Sequence, residues 1–171
     1  MSISLHDASI PVFVHGLKNL SNVLRKGAAH AEAKKIDPAV YLSMRLSPDM
    51  FSLLKQVQIA CDLAKGPAAR LAGVERPLFE DVEASFEDLQ ARIDKTIAFL
   101  QSITAEQVDG AEGREIHITL RGQDVAFRGQ PYLLYFALPN FYFHLTTSYA
   151  ILRHAGVDLG KADYVGPLQL G

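Results

Sequence analysis

The chain has 171 residues, of which 49% are hydrophobic and 21% charged, and its formal net charge at pH 7 is −2. This size and composition suit a single domain spanning residues 1–171, with enough apolar residues to bury a core. Lysine and arginine are scattered along the chain, so the sequence predicts neither a nucleic-acid surface nor a basic patch for an anionic membrane. The lone cysteine, Cys61, excludes an internal disulfide.

No stretch of the sequence predicts export or a membrane span. The N-terminus lacks a basic region followed by a long apolar run. The most apolar run, residues 132–145, is interrupted by Pro139, Asn140 and His144 and is shorter than the ~20 apolar residues that a spanning helix needs. We therefore expect a soluble, cytoplasmic protein.

The first part of the chain predicts one long and one short helix. Apolar residues recur at steps of three and four over residues 9–35, which is the spacing of one helix face. Asp37 can cap a second helix over residues 38–44, because its carboxylate can accept from free backbone N–H groups. The proline that follows stands at the start of this helix, where no backbone donor is needed. Arg45 and Asp49 come next. We expect them to form a salt bridge that ties the short helix to the next long one, or to line a pocket.

Two more long helices are expected in the middle of the chain. The second opens at Ser47-Pro48 and ends at Gly73, and Gly66-Pro67 predicts a kink or a restart within it. The third begins after Ser85, where an acidic residue three positions later completes a capping box. Acidic residues between positions 80 and 88 suit the positive end of its dipole.

A hairpin and a last helix complete the pattern. Polar and apolar residues alternate over residues 115–127, on either side of a turn at Gly122, which predicts a small β-hairpin packed on the helices. Pro131 then starts the last helical region. We expect Pro139 to divide this region into a short arm and a long terminal helix that ends at Gly156.

The last helix is apolar around most of its circumference. At about 100° per residue, Phe141 and Leu145 fall on one stripe, whereas Tyr142 and Phe143 point away from it. No single neighbour can cover such a helix, so it must be central or shared with a second subunit. We therefore predict a homodimer. The predicted contact set is Tyr132, Tyr135, Phe136 and part of the last helix, either alone or together with the hairpin.

The tail after this helix contains apolar residues that a free end would not need. We predict that residues 157–165 are ordered as an extended segment on the bundle surface. In this position Lys161 and Asp163 could pair with Asp49 and Arg45.

Three blocks of the sequence resemble one known family. They are Arg45-Leu46-Ser47-Pro48-Asp49-Met50, Pro139-Asn140-Phe141-Tyr142-Phe143-His144, and the stretch from Leu152-Arg153-His154-Ala155-Gly156 to Gly160-Lys161-Ala162-Asp163. They are similar to an uncharacterised bacterial family, domain of unknown function nineteen ninety-three, of the DinB/YfiT-like superfamily. The resemblance covers nearly the whole chain. It implies a mainly α fold, an up-down-down-up four-helix bundle that is often dimeric; the hairpin expected from the sequence would precede the last helix.

The resemblance also implies a metal site in many members, held by one histidine of the second helix and a His-x-x-x-His pair of the fourth. Here His144 is present, but Ser148 stands four residues later, and the second helix offers Gln56, Gln58 and Cys61 instead of histidine. One imidazole with amide and hydroxyl neighbours binds zinc or nickel weakly. We therefore predict no metal and no cofactor.

His144 is the best candidate for a functional residue. We expect its ring to be neutral, because it lies close to the positive start of the last helix. The candidate ligand-binding residues are His144, Ser148, Gln56, Asn140, Arg45 and Asp49.

Two functions remain open, beside a purely structural role for this histidine. The first is a metal-free binding or scaffold protein that dimerises through the aromatic last helix and holds a small molecule near His144. The second is a DinB-superfamily enzyme, either a thiol-dependent transferase or a small hydrolase, with His144 as a general base or a metal ligand.

Overall fold

The structure is a computed structural model that describes residues 3–167. Its elements in chain order are α1 (Ile10–Lys34), α2 (Pro38–Ser43), α3 (Leu53–Ala72), α4 (Phe86–Gln101), α5 (Ala105–Val108), β1 (Glu115–Leu120), β2 (Gln123–Arg128), α6 (Gly129–Pro131), a π-helical stretch (Tyr132–Ala137), α7 (Leu138–His154) and α8 (Lys161–Val165). The predicted mainly helical fold, with a small hairpin before the last long helix, is confirmed. Within residues 3–167, no helix combines the length and the apolarity needed to cross a bilayer.

The four long helices α1, α3, α4 and α7 run up, down, down and up. Both α1 and α3 pack against α4 and α7. A Cβ atom at Gly27, late in α1, would lie 3.0 Å from Leu152, late in α7, and 3.4 Å from Phe86 at the start of α4. Helix α1 therefore runs parallel to α7 and antiparallel to α4.

A crossover segment, residues 74–84, makes α3 and α4 parallel. It leaves the C-terminal end of α3, yet Asp81 pairs with Lys55 and Glu83 accepts a hydrogen bond from Gln58, both in the first part of α3. The segment thus returns along α3, so that α4 starts beside the beginning of that helix.

The apolar faces of the long helices meet in a continuous core. Phe13 of α1 and Phe141 of α7 are fully buried and pack edge to face, with ring centroids 5.1 Å apart. Gly16 allows this approach, because a Cβ atom there would lie 2.7 Å from the Phe141 ring.

The second long helix starts later than predicted and does not restart at its proline. Residues 46–50 form a turn, in which the N–H of Met50 donates to the carbonyl of Ser47 at 3.0 Å, so α3 begins only at Leu53. The helix continues through Pro67, whose missing donor removes one hydrogen bond. Packing against α4 and α7 outweighs that loss.

The last helical region is also continuous, and Pro139 does not divide it. Residues 129–154 are helical throughout, with the π-helical stretch just before the proline. The side-chain Nδ2 of Asn140 donates to the carbonyl of Phe136 at 2.7 Å. The wider π turn and this bond accommodate the missing proline donor. His144 consequently lies in the middle of a helical region and not near its start.

The hairpin has the predicted turn and packs on the start of this region. Arg121 and Gly122 have φ values of 51° and 80°, as a two-residue type I′ turn requires. Phe127 of β2 contacts Tyr132, with ring centroids 5.8 Å apart.

The tail docks on α1, and the predicted pairing of Lys161 with Asp49 and of Asp163 with Arg45 is wrong. Asp163 instead lies 2.6 Å from Lys26 of α1. Part of the segment folds into α8 and is not extended, because Asp163 also accepts from the N–H of the residue before this helix, at 2.9 Å. The buried apolar side chains that hold the tail are Val157 and Leu159.

Candidate functional site

His144 faces α3 and is 9% exposed. Its Nδ1 lies 2.6 Å from Oε1 of Gln56. The Nε2 of Gln56 donates to the backbone carbonyl of Phe51 at 3.2 Å. Since a carbonyl only accepts, this second bond directs Oε1 of Gln56 towards the histidine. The hydrogen-bond pattern therefore assigns the ring proton to Nδ1.

The other ring nitrogen, Nε2, then carries a lone pair. It has no hydrogen-bond partner within residues 3–167, where Arg92 Nε is the one fully enclosed side-chain polar atom without a partner. Nε2 of His144 therefore keeps some contact with solvent. Burial lowers the pKa of His144 below 6.5, so the ring is neutral at pH 7. The predicted cause, a nearby helix start, is wrong because the residue lies in mid-helix.

Ser148 lies one turn further along α7 and is fully buried. Its hydroxyl donates to the carbonyl of His144 at 2.8 Å, and the hydroxyl of Thr147 donates in the same way to Phe143. The fold thus brings Gln56, His144 and Ser148 together as a neutral cluster, but the serine hydroxyl is turned towards its own helix.

This donor set does not fit the three-histidine metal site that the family resemblance implies for many members. His144 offers one ligand atom, Nε2, because its Nδ1 donates to Gln56, and Gln58 points away to Glu83. Burial raises the pKa of the Cys61 thiol to about 12, which keeps it from acting as a thiolate. In the described part of the chain, no three His, Cys, Asp or Glu residues are grouped to hold a metal.

The other three candidates make local contacts. Asn140 bonds within its own helix. Arg45 Nη1 donates to the carbonyl of Met50 at 3.1 Å, and Asp49 accepts from the Ser47 hydroxyl at 2.6 Å. This hydroxyl lowers the pKa of Asp49. The predicted Arg45–Asp49 salt bridge is absent among the described residues, because each side chain is satisfied within the turn that precedes α3.

A groove of ≈ 360 Å³ lies beside this part of α7 and has no charged lining residue. Its lining residues are Leu46, Tyr142, Phe143, Thr146, Thr147 and Ala150. Phe143 is 55% exposed, and its ring lies perpendicular to that of His144, with centroids 5.2 Å apart. An open, mainly apolar surface therefore adjoins the histidine. We call it the α7 groove.

The predicted dimer contact set is only partly available at the surface. Tyr135 is 79% exposed, but Tyr132 is 1% exposed and stacks on Phe136, with centroids 5.6 Å apart. Tyr132 was expected in the contact set and belongs to the core instead. Its burial follows from the hairpin, whose Phe127 covers it.

A second polar cluster, which we call the Arg92 network, was not predicted from the sequence. The Arg92 guanidinium, 1% exposed, lies 3.1 Å from Asp62, 3.0 Å from Asp81 and 2.9 Å from Glu83. Asp81 and Glu83 were assigned to the helix dipole alone. One available signal was that Arg92 stands three residues after Leu89, on the apolar stripe of α4, where a charged residue needs partners.

Comparison with known proteins agrees with this architecture. Residues 5–165 match the family described as Domain of unknown function (DUF1993). The structure also resembles the crystal structure of a DinB family member protein from Shewanella denitrificans at 1.83 Å resolution, with 39% identity, 98% of this chain and 94% of that chain covered, and a TM-score of 0.90. No match was found among curated proteins. The chain therefore belongs to the DUF1993 family and has a DinB-like fold.

Proposed function

We propose that this protein is a metal-free binding or scaffold protein, acting in the cytoplasm as one domain and as a homodimer. The observation that carries the proposal is the state of the groups that would bind metal. His144 donates through Nδ1 to Gln56, and the Ser148 hydroxyl donates to its own helix. Only Nε2 of His144 is left to coordinate an ion, and in the described part of the chain no group of His, Cys, Asp or Glu residues stands beside it to complete a site. A single imidazole binds zinc or nickel weakly.

We further propose that the α7 groove holds a small, mainly apolar ligand. Its polar lining groups are two threonines and the Tyr142 hydroxyl. Thr147 already donates to the backbone, and Thr146 is bonded to the Tyr164 hydroxyl. The free lone pair on Nε2 of His144 adds one acceptor at the neighbouring position. A ligand with an apolar body and a single hydrogen-bond donor would match this combination.

The dimer proposal rests on exposed apolar side chains, three of which, Leu46, Tyr142 and Phe143, line this groove. They are Leu46 (44% exposed), Phe51 (55%), Tyr142 (39%), Phe143 (55%) and Tyr135 (79%). Aromatic residues of this size favour protein interfaces, because they bury a large area at a low entropic cost. A second copy could cover part of this surface and narrow the mouth of the groove.

Elemental analysis tests the metal-free proposal directly. Protein purified without a histidine tag and without added metal should contain far less than one transition metal per chain. About one zinc or nickel per chain, lost in His144→Ala, would contradict it.

Light scattering tests the dimer. The protein should scatter as about twice its 18.8 kDa chain mass, and Phe143→Lys should reduce this to one chain. Leu78→Lys is a matched control, because Leu78 is 81% exposed but lies on the crossover segment. A single 18.8 kDa species for the unmodified protein at micromolar concentration would remove the dimer from the proposal.

Binding of N-phenyl-1-naphthylamine, an uncharged fluorescent probe with one N–H donor, tests the groove. The probe should bind the unmodified protein and lose affinity in Ala150→Phe, which fills the groove. Ala98→Phe adds the same side chain to an exposed position of α4 and should leave the affinity unchanged. Equal affinities for the two variants would show that the probe binds elsewhere.

The free Nε2 of His144 also favours a second candidate, an enzyme in which this atom is a general base. A neutral imidazole can accept a proton from a substrate that reaches it. Hydrolysis of p-nitrophenyl acetate or transfer of glutathione to 1-chloro-2,4-dinitrobenzene, abolished in His144→Gln and retained in Ser148→Ala, would favour the enzyme. Equal rates for the unmodified protein and for His144→Gln would favour the binding protein.

A further inference from the structure

The Arg92 network joins α3, α4 and the crossover segment through a small set of donors and carboxylates. On the helices, Lys65 Nζ and Arg92 Nη2 both contact Asp62, at 2.7 and 3.1 Å. The side chains of Lys65 and Arg92 are 3% and 1% exposed, so their charges are almost fully withdrawn from water. Charges buried to this degree need compensation from opposite charges or hydrogen bonds.

The compensation comes largely from the crossover segment. Asp81 bridges Lys55 and Arg92, at 2.5 and 3.0 Å. Glu83 accepts from Arg92 at 2.9 Å and from Gln58 at 2.7 Å. Hydrogen bonding from Lys55 lowers the pKa of Asp81. Burial opposes ionisation of Glu83, but its hydrogen bonds outweigh this, and its pKa is also lowered.

Little else holds the crossover segment in place. Within the described residues, no backbone–backbone hydrogen bond involves residues 75–83. Leu78 and Val82 are 81% and 74% exposed, so they contribute little apolar burial. The ring of Phe79 lies 4.0 Å from Lys65 Nζ, and the carbonyl of Glu80 accepts from Arg92, which again are contacts with the same cations. The segment therefore stays in place chiefly because its side chains and one carbonyl occupy this cationic surface.

Without Asp81 and Glu83, the two helices would present three cations and one carboxylate, together with the amide donor of Gln58. The cations are Lys55, Lys65 and Arg92, and the carboxylate is Asp62. Arg92 also has one unused hydrogen-bond donor, because its buried Nε has no partner in the described part of the chain. Arg92 lines a cavity of ≈ 380 Å³ between the crossover segment and α4, with Phe79 and Glu83.

We propose that this surface is a binding site for a small dicarboxylate, and that Asp81 and Glu83 occupy it as tethered stand-ins for the ligand. Two carboxylates on Lys55, Gln58 and Arg92 reproduce the charge and the hydrogen bonds that such a ligand would offer. A free dicarboxylate binds by displacing the crossover segment, whose own carboxylates compete at high effective concentration. The proposal is independent of the function proposed for the α7 groove.

Succinate is the probe, and calorimetry at constant ionic strength is the measurement. The variant Asp81→Ala, Glu83→Ala vacates the donors, so it should bind succinate at least about tenfold more tightly than the unmodified protein does. The matched control is Glu87→Ala, Asp94→Ala, which removes two exposed carboxylates of α4 that have no partner among the described residues. This control changes the net charge equally, but it leaves the donors occupied.

A third variant tests the donors themselves. Adding Lys55→Ala to the Asp81→Ala, Glu83→Ala variant should abolish most of the gain, because Lys55 is one of the vacated donors. Should the alanine variant fail to fold, Asp81→Asn, Glu83→Gln removes the charges and keeps one acceptor oxygen on each side chain. It should show a smaller gain of the same sign.

Three results would overturn the proposal. Succinate affinity no tighter in the double variant than in the Glu87→Ala, Asp94→Ala control would show that Asp81 and Glu83 only anchor the crossover. Acetate binding as tightly as succinate would show that the site does not require two carboxylates. Inorganic phosphate binding more tightly than succinate would assign the surface to a different class of anion.

Discussion

Two polar clusters lie on the sides of α3 that face α7 and α4. The cluster against α7 consists of neutral groups, with one imidazole, one amide and one hydroxyl, each bonded to a neighbour. The Arg92 network against α4 consists of ions, with three cations and three carboxylates. The two sides are close in the sequence, because Gln56 belongs to the neutral cluster, whereas Lys55 and Gln58 bond to the carboxylates of the Arg92 network.

The difference shows that the charge of a buried cluster decides whether its polar groups stay free to bind a ligand. A neutral cluster needs few partners, so His144 can keep a free lone pair at the edge of a groove. An ionic cluster must pair its charges, and it recruits the crossover segment to do so. The first arrangement leaves an accessible group in the folded protein. The second covers its donors with the protein's own carboxylates.

Removing the central cation of the Arg92 network should have the largest effect of the four changes considered. Arg92→Met leaves Glu83, which is 9% exposed, without its cation. Breaking a buried pair from one side costs about 3–5 kcal/mol, and chemical denaturation should report a loss of this order. A loss below about 1 kcal/mol would mean that breaking the Arg92 network costs no more than breaking a solvent-exposed ion pair.

Removing the amide of the neutral cluster should have a smaller effect. Gln56→Leu leaves Nδ1–H of His144 and the carbonyl of Phe51 without partners, at a cost of about 1–3 kcal/mol. Denaturation of Gln101→Leu provides the baseline, because Gln101 is exposed at the end of α4. If Gln56→Leu loses no more stability than Gln101→Leu, water replaces the amide and the cluster is accessible to solvent.

Acidification should distinguish the two clusters by the pH at which each loses stability. Burial holds the pKa of His144 below its unfolded value of about 6.5. Above about pH 6.5 neither the folded nor the unfolded chain binds a proton at His144, so the contribution of the buried neutral ring to stability is fully present. As the pH falls further, the unfolded chain takes up the proton first, and stability declines until the folded pKa is passed.

The thermal midpoint of His144→Gln should therefore vary less than that of the unmodified protein between about pH 7 and pH 5. Asp81 and Glu83 have lowered pKa values, so their contribution disappears only at more acidic pH, below their ordinary values of 3.8 and 4.5. Parallel curves for the two proteins between pH 7 and 5 would show that His144 does not titrate differently on unfolding.

An exposed ion pair supplies the smallest expected effect and a reference for the ionic side. Lys26, whose side chain is 44% exposed, pairs with Asp163 at 2.6 Å. Lys26→Ala should cost ~0 to 1 kcal/mol, because water screens the pair and competes for both charges. A loss as large as that of Arg92→Met would show that the tail depends on this ion pair more than on its buried apolar side chains.

The outline of the fold follows from local patterns in the sequence. Apolar spacing predicted α1 and α4, and the Ser85 capping box has both of its hydrogen bonds. Errors arose where a local rule met long-range packing. Proline at position 67 and at position 139 predicted interruptions, but both stretches stay helical. Pro67 is buried where α3 packs on its neighbours, and a π turn accommodates the exposed Pro139.

The candidate site was predicted only in part. His144 and Gln56 were both singled out from the sequence, and the structure places them 2.6 Å apart. Arg45 and Asp49 were singled out too, but they turn to the backbone and to a hydroxyl within their own loop. A polar side chain in a turn can form its hydrogen bonds within that turn, and sequence spacing does not reveal which partner it takes.

The sequence by itself determined the helical architecture, the hairpin and the family, because these depend on periodic apolar positions, turn chemistry and motifs that are close along the chain. Only the tertiary structure decided which charges meet. The Arg92 network joins residues from position 55 to position 92, and the crossover segment brings them together by running back along α3. Asp163 of the tail likewise pairs with Lys26 and not with Arg45, because the direction of the tail after α7 is set by packing and not by charge.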